Sequence, residues 1–231
     1  MIDPLDSRGL LKLMTWLSPS FPVGAYAYSH GIEYAVEIGS VGTALELTDW
    51  VRTIILDGSG RIDADLFCAA HQASLIGDDQ TLSDILELAL ALRGTSEMAL
   101  ESLAQGKAFN STRAQLAGNP PEKNYVPYAI AVAIASAHEK LSLRPALTAF
   151  MHAVASNLVS AGVRLVPLGQ TDGQRCILAL EQTILEATDA ALRRQTENQD
   201  VDLIDYISAT APMVDWTSMK HETQYTRLFR S

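Results

Sequence analysis

Thr43-Ala44-Leu45-Glu46-Leu47-Thr48-Asp49-Trp50-Val51-Arg52-Thr53-Ile54 decides the fold class. Its first four residues read as a capping box. The Thr43 hydroxyl can accept from the Glu46 amide while the Glu46 carboxylate reaches back. Leu47, Trp50, Val51 and Ile54 then recur at i, i+3, i+4 and i+7, the rhythm of one helix face. Asp49, Arg52 and Asp57 take the other face. The period continues outward through Ile62, Leu66, Ala69, Ala73 and Ile76, and through Leu82, Ile85, Leu86, Ala89 and Leu92, with Gly94 as the expected C′ residue. A further helix is expected over Glu97 to Asn110, and another around Ile177, Leu180, Ile184, Leu185, Ala191 and Leu192. Strict alternation never persists. The pattern predicts an all-α, single-domain bundle of about eight to ten helices.

Four breaks punctuate it: Ser18-Pro19-Ser20-Phe21-Pro22-Val23-Gly24, Gly118-Asn119-Pro120-Pro121, Val166-Pro167-Leu168-Gly169 and Ala211-Pro212. Proline and the residue before it resist the α region. None of the breaks is a linker, so residues 1–231 are expected to form one domain.

The 231 residues carry 17 basic and 27 acidic side chains, a formal charge of −10. Phosphate binding needs a Lys/Arg surface, so nucleic acid is excluded as a partner class, and anionic lipid is disfavoured. Cys68 and Cys176 form no C-x-x-C pair, and the acidic N-terminus lacks the apolar core of a signal peptide. A reducing cytoplasm is the expected compartment. Pro145 to Val163 is uncharged and long enough to span a bilayer. Thr148, His152, Ser156, Asn157, Ser160 and many alanines mark it instead as a buried helix.

Ala129, Ala133 and Ala137, and Ala149, Ala153, Asn157 and Ala161, form small-residue stripes. Such faces allow close helix approach, either within the chain or between two copies of it. A homodimer is expected.

Catalytic signatures are missing. There is no G-x-x-x-x-G-K-[ST], no G-x-S-x-G and no H-E-x-x-H. No catalytic residue, cofactor or metal site is assigned, and the chain is expected not to be an enzyme. Asp65, Cys68 and His71 share a helix face, but Cys68 sits among Leu66, Phe67, Ala69 and Ala70 as a buried small hydrophobe would. His30, His138, His152 and His221 read as scattered, although His30, Glu33 and Glu37 fall at one helical spacing. Residues 213–231 show no helical period. They combine Trp216, Tyr225, Leu228 and Phe229 with Lys220, Arg227 and Arg230, residue types favoured as interface anchors, so they read as a partner-binding tail, the alternative being a tail that packs on its own domain or frays.

Four segments carry a family resemblance: Ser18-Pro19-Ser20-Phe21-Pro22-Val23-Gly24-Ala25-Tyr26-Ala27-Tyr28-Ser29-His30-Gly31-Ile32-Glu33; Glu97-x-x-x-Glu101-Ser102-x-x-x-Gly106-Lys107; Asn157-Leu158-Val159-Ser160-Ala161-Gly162-Val163-Arg164-Leu165 running into Pro167-Leu168-Gly169-Gln170 and Gly173-Gln174; and His221-Glu222-Thr223-Gln224-Tyr225-Thr226-Arg227-Leu228-Phe229-Arg230-Ser231. In this order they resemble the urease accessory protein UreF family. Ala25 stands where that family usually has a second glycine, and Ser96 where an arginine is frequent.

The resemblance implies an all-α dimer that binds the accessory protein UreD (UreH), recruits the GTPase UreG and serves nickel insertion into apo-urease. It makes Pro19, Pro22, Gly24, Tyr28, Ser29, Gly31, Glu33, Glu97, Arg164, Gln170, His221, Glu222, Gln224, Tyr225, Arg227, Leu228, Phe229 and Arg230 the candidate partner-binding residues. Arg175, just after Gly173-Gln174, is a weaker candidate. Two narrower readings stay open. One is a GTPase activator lending Arg164, Arg227 or Arg230 in trans. The other is direct nickel chaperoning.

Overall fold

The computed structural model describes residues 6–119 and 126–231. Among these every regular element is helical: α1 (Ser7–Trp16), a 3-10 turn (Ala25–Ala27), α2 (Ile32–Glu37), α3 (Ala44–Leu56), α4 (Ser59–Ile76), α5 (Asp79–Ala91), α6 (Ser96–Leu116), α7 (Tyr128–His138), α8 (Leu143–Leu165), α9 (Gln170–Glu197), α10 (Leu203–Tyr206) and α11 (Pro212–His221). The all-α reading holds. The breaks before Ala25, after Leu165 and before Pro212 lie between helices. Of the Gly118 break, Pro120 and Pro121 lie outside the described residues.

The quoted stretch starts as its capping residues dictate. Thr43 Oγ1 accepts from the Glu46 amide at 3.2 Å. Glu46 reaches one residue further back than a capping box requires and accepts from the Gly42 amide at 2.9 Å. Leu47, Val51, Ile54 and Ile55 are buried. Gly94 does not end α5: the helix stops at Ala91, and Gly94 instead sits where a Cβ would lie 3.1 Å from Asp215 Oδ1 on α11. Gly77 takes the left-handed capping role, closing α4 at φ 72°.

At the centre lies α7, apolar all round and buried on nearly every side, with α4, α6 and α8 against it. Its alanines Ala129, Ala133 and Ala137 are buried inside the chain. The uncharged stretch lies in α8, whose Ala146, Leu147, Phe150, Met151, Ala155, Leu158 and Val159 are buried in the bundle. Length and composition alone would let α8 cross a membrane. Ala153 and Ala161 of its stripe are buried too, while Ala149 and Asn157 are half-buried. Two glycines permit this closeness. A Cβ at Gly106 would lie 1.8 Å from the Val126 carbonyl oxygen, and one at Gly162 would lie 2.3 Å from Leu47 Cδ1.

The reading of 213–231 as aperiodic needs correction, because its first part is α11. The buried face of α11 is Val214, Thr217, Ser218 and His221, spaced i, i+3, i+4, i+7. Three of those four are polar, so a hydrophobic pattern cannot reveal them.

Candidate docking site at the C-terminal segment

Three of the four matched segments meet around His221, and the remaining one touches the same place through Arg164. Gly24 and Gly31 turn the chain with φ of 77° and 79°, and His30 between them also has a positive φ, 56°. Glycine adopts these angles without penalty. Gly31 has a second reason to be glycine: a Cβ there would lie 2.8 Å from the Ser218 amide nitrogen, so α2 can approach α11 only without a side chain. Ala25 takes the following 3-10 turn at an ordinary φ. His30 stands before α2 and so does not continue the face of Glu33 and Glu37.

His221 is wholly buried. Its Nδ1 lies 2.6 Å from Glu97 Oε2 on α6 and its Nε2 lies 3.1 Å from Glu33 Oε2 on α2. Glu33 also accepts the backbone N–H groups of Leu228 at 2.7 Å and Phe229 at 2.9 Å. Glu97 accepts from Arg227 Nη1 at 2.7 Å. These charge-assisted bonds are the stronger kind, and they hold the last residues across the N-terminal turn.

Next to it lies a second carboxylate centre. Glu101 Oε2 accepts from Ser231 Oγ at 2.9 Å and lies 3.2 Å from His30 Nδ1. His30 Nε2 is 2.6 Å from Ser59 Oγ. Burial opposes ionisation of Glu101, but His30, Ser231 and Arg93 outweigh it and hold the carboxyl below its ordinary value. The Ser231 carbonyl accepts from both the amide and the hydroxyl of Ser29, and the Arg230 amide donates to the Ala27 carbonyl at 2.8 Å. Behind this centre is a cavity of about 50 Å³, lined by His30, Asp63, Arg93, Glu101, Gln105 and Asn157 among others.

Arg164, at the end of α8, stacks its guanidinium 4.4 Å from the centre of the Phe229 ring. Partial burial lowers its pKa from the ordinary arginine value. Ser96 stands where the resembled family frequently has an arginine. Its amide and hydroxyl both donate to Glu222, at 3.0 and 2.6 Å, and chiefly the hydroxyl bond holds the Glu222 carboxyl below its usual value.

The sequence candidates therefore split. Tyr28, Ser29, Gly31, Glu33, Glu97, His221 and Phe229 are buried, and most of them bind the tail to its own chain. Pro19, Pro22, Arg164, Gln170, Glu222, Tyr225, Arg227, Leu228 and Arg230 are exposed, while Gly24 and Gln224 are intermediate. Gln170 lies at the start of α9, and Arg175 pairs with its helix neighbour Asp172. The sequence reading missed His30, Glu101 and Ser231. A usable signal was present: Glu97 and Glu101 stand four apart and so share a helix face.

Asp65, Cys68 and His71 do not converge. Asp65 pairs with Arg194 at 2.8 Å, burial pushes the Cys68 thiol pKa up, and His71 Nε2 faces the Leu141 carbonyl at 2.9 Å. Among the described residues no three His, Cys, Asp or Glu side chains are placed to hold a metal ion.

Fold and site define a small all-α protein whose C-terminal segment is stapled over its own N-terminal turn by a buried Glu–His–Glu cluster, leaving Tyr225 and Leu228 facing solvent. Residues 41–181 match the UreF family model. Urease accessory protein UreF of Rhodopseudomonas palustris (strain HaA2) is 44% identical over 237 residues, covering 98% of this chain and 95% of that protein. The UreF of Granulibacter bethesdensis is 42% identical over 246 residues, covering all of both chains. The chain belongs to the UreF family of urease accessory proteins.

Proposed function

We propose that this chain is a non-enzymatic adaptor in urease maturation. It bridges the UreD (UreH) accessory protein and the GTPase UreG, as a homodimer in the cytoplasm, and regulates GTP-dependent nickel insertion into apo-urease. One observation carries the reading: parts of all four matched segments meet around His221 and Phe229, where Tyr225 is fully exposed and Leu228 is 78% exposed on a backbone held at Glu33. Aromatic and apolar anchors on a pre-organised segment suit protein docking, because ordering costs are already met. Arg227 is engaged by Glu97, so a trans-acting arginine falls to the exposed Arg230 or Arg164.

The test is co-purification with the two accessory proteins, comparing the native chain with Tyr225→Ala/Leu228→Ala. Both side chains are solvent-exposed, so the double variant should melt like the native protein yet lose the UreD complex. Full retention of that complex would refute docking through the tail. Light scattering of the assembled complex checks the dimer, and UreG hydrolysis rates with and without this chain check the regulatory role.

A further inference from the structure

A neutral imidazole carries one N–H and one bare nitrogen, and an ionised carboxylate only accepts. Both ring nitrogens of His221 face carboxylate oxygens, Glu97 Oε2 at 2.6 Å and Glu33 Oε2 at 3.1 Å. A neutral ring would satisfy one of these contacts and set lone pair against lone pair at the other. The three groups therefore hold one proton more than a neutral imidazole and two carboxylates.

The surroundings say where that proton sits. Glu33 from α2 receives two backbone N–H groups, and Glu97 from α6 receives the Arg227 guanidinium from the tail. All of these donors favour ionised carboxylates. The extra proton belongs on the ring. With it, Glu33, Glu97, Arg227 and His221 sum to zero charge; without it, the buried cluster is left at −1. The neighbouring Glu101–His30 pair contacts Ser231 but not His221.

We propose that His221 is a protonated latch: its imidazolium, bridging Glu33 and Glu97, keeps both carboxylates in place to hold Arg227, Leu228 and Phe229, and loss of that proton releases these three residues from the bundle. The release follows from shared acceptors. The Glu33 oxygen that faces Nε2 also accepts the Phe229 amide, and the other oxygen of Glu97 accepts Arg227. A bare ring nitrogen repels whichever carboxylate it faces. If Glu33 moves, the tail loses the acceptor of Leu228 and Phe229; if Glu97 moves, it loses the acceptor of Arg227. This inference holds whichever partner the tail meets.

Nitrogen-15 NMR of the full chain, labelled at histidine and at the backbone, tests it. At neutral pH both His221 ring nitrogens should show the protonated signature with an attached hydrogen. As pH is raised, loss of one ring proton should coincide with loss of the Leu228 and Phe229 amide resonances from their hydrogen-bonded positions. A single neutral tautomer with the tail still docked would overturn the latch, and so would ring deprotonation that leaves those amides unmoved. His221→Gln gives a second readout. At neutral pH, trypsin should cut after Arg227 about tenfold faster than in the native chain, as expected for losing a hydrogen bond to a charged group. An unchanged rate counts against the proposal. If that variant does not fold, the native titration decides alone.

Discussion

The guanidinium of Arg164 lies 4.4 Å from the ring centre of Phe229, joining the end of α8 to a segment sixty-five positions later in the chain. The Phe229 ring is buried, and Arg164 covers it from the solvent side. Stacked cations of this exposed kind contribute about 0.5–1 kcal/mol. A double-mutant cycle of Arg164→Gln and Phe229→Leu, read by urea unfolding, should return a coupling of about that size. A coupling of zero would mean that the two side chains are neighbours without being partners.

Removing residues 222–231 should destabilise the bundle. The truncation strips the Leu228 and Phe229 amides from Glu33 and the Arg227 guanidinium from Glu97, leaving buried carboxylates short of donors. Each buried group left unpaired costs about 1–3 kcal/mol, and a domain of this size shifts its Tm by about 2–4 °C per kcal/mol. Calorimetry should therefore show the truncated chain melting several degrees lower. An unchanged Tm would mean that the tail adds nothing to the fold.

Gly106→Ala should cost more than Gly162→Ala, although both glycines lie in helices where alanine is intrinsically preferred. The added carbon at Gly106 meets a backbone carbonyl at 1.8 Å, which cannot move without shifting the start of α7. At Gly162 it meets the tip of Leu47, which can change rotamer. Overpacking costs roughly 1–3 kcal/mol, and Gly106→Ala should reach or exceed the top of that range. Denaturation midpoints of the two variants give the comparison, and the reverse order would contradict it.

Acid should unfold the protein in part through His71 and Glu101. Burial lowers the folded pKa of His71 despite the Leu141 carbonyl opposing it. The unfolded state then binds the proton more readily, so stability present above about pH 6.5 is lost as pH falls through that value and on through the folded one. Glu101 is also lowered, the favourable partners outweighing its burial. Its contribution is present above about pH 4.5 and is lost as pH falls further. His71→Gln should flatten the stability profile between about pH 7 and 5, and Glu101→Gln should flatten it below about pH 4.5. Profiles parallel to the native one would remove these groups from the account.

How much was legible in advance differs by element. The period of Leu47, Val51 and Ile54 and the cap at Thr43 specify α3 because both are local properties of backbone and side chain. The long uncharged run reads as a buried helix for the same reason. Gly31, Gly106 and Gly162 stand in the motifs, but nothing local says what each makes room for: Ser218, Val126 and Leu47 are supplied from elsewhere in the chain. For α11 the local signal was missing, because Thr217, Ser218 and His221 turn polar groups inward.

By itself, the sequence determined the helical class, the breaks, the acidic character and the four segments that mark the family, since each depends on residues close together in the chain. Only the tertiary structure decided that Glu33, Glu97 and His221 form one cluster and that the tail lies on its own chain. A buried ionisable group is defined by what surrounds it. His221 reads in the sequence as one scattered histidine, and it becomes a clamp only when α2 and α6 bring two carboxylates to opposite sides of its ring.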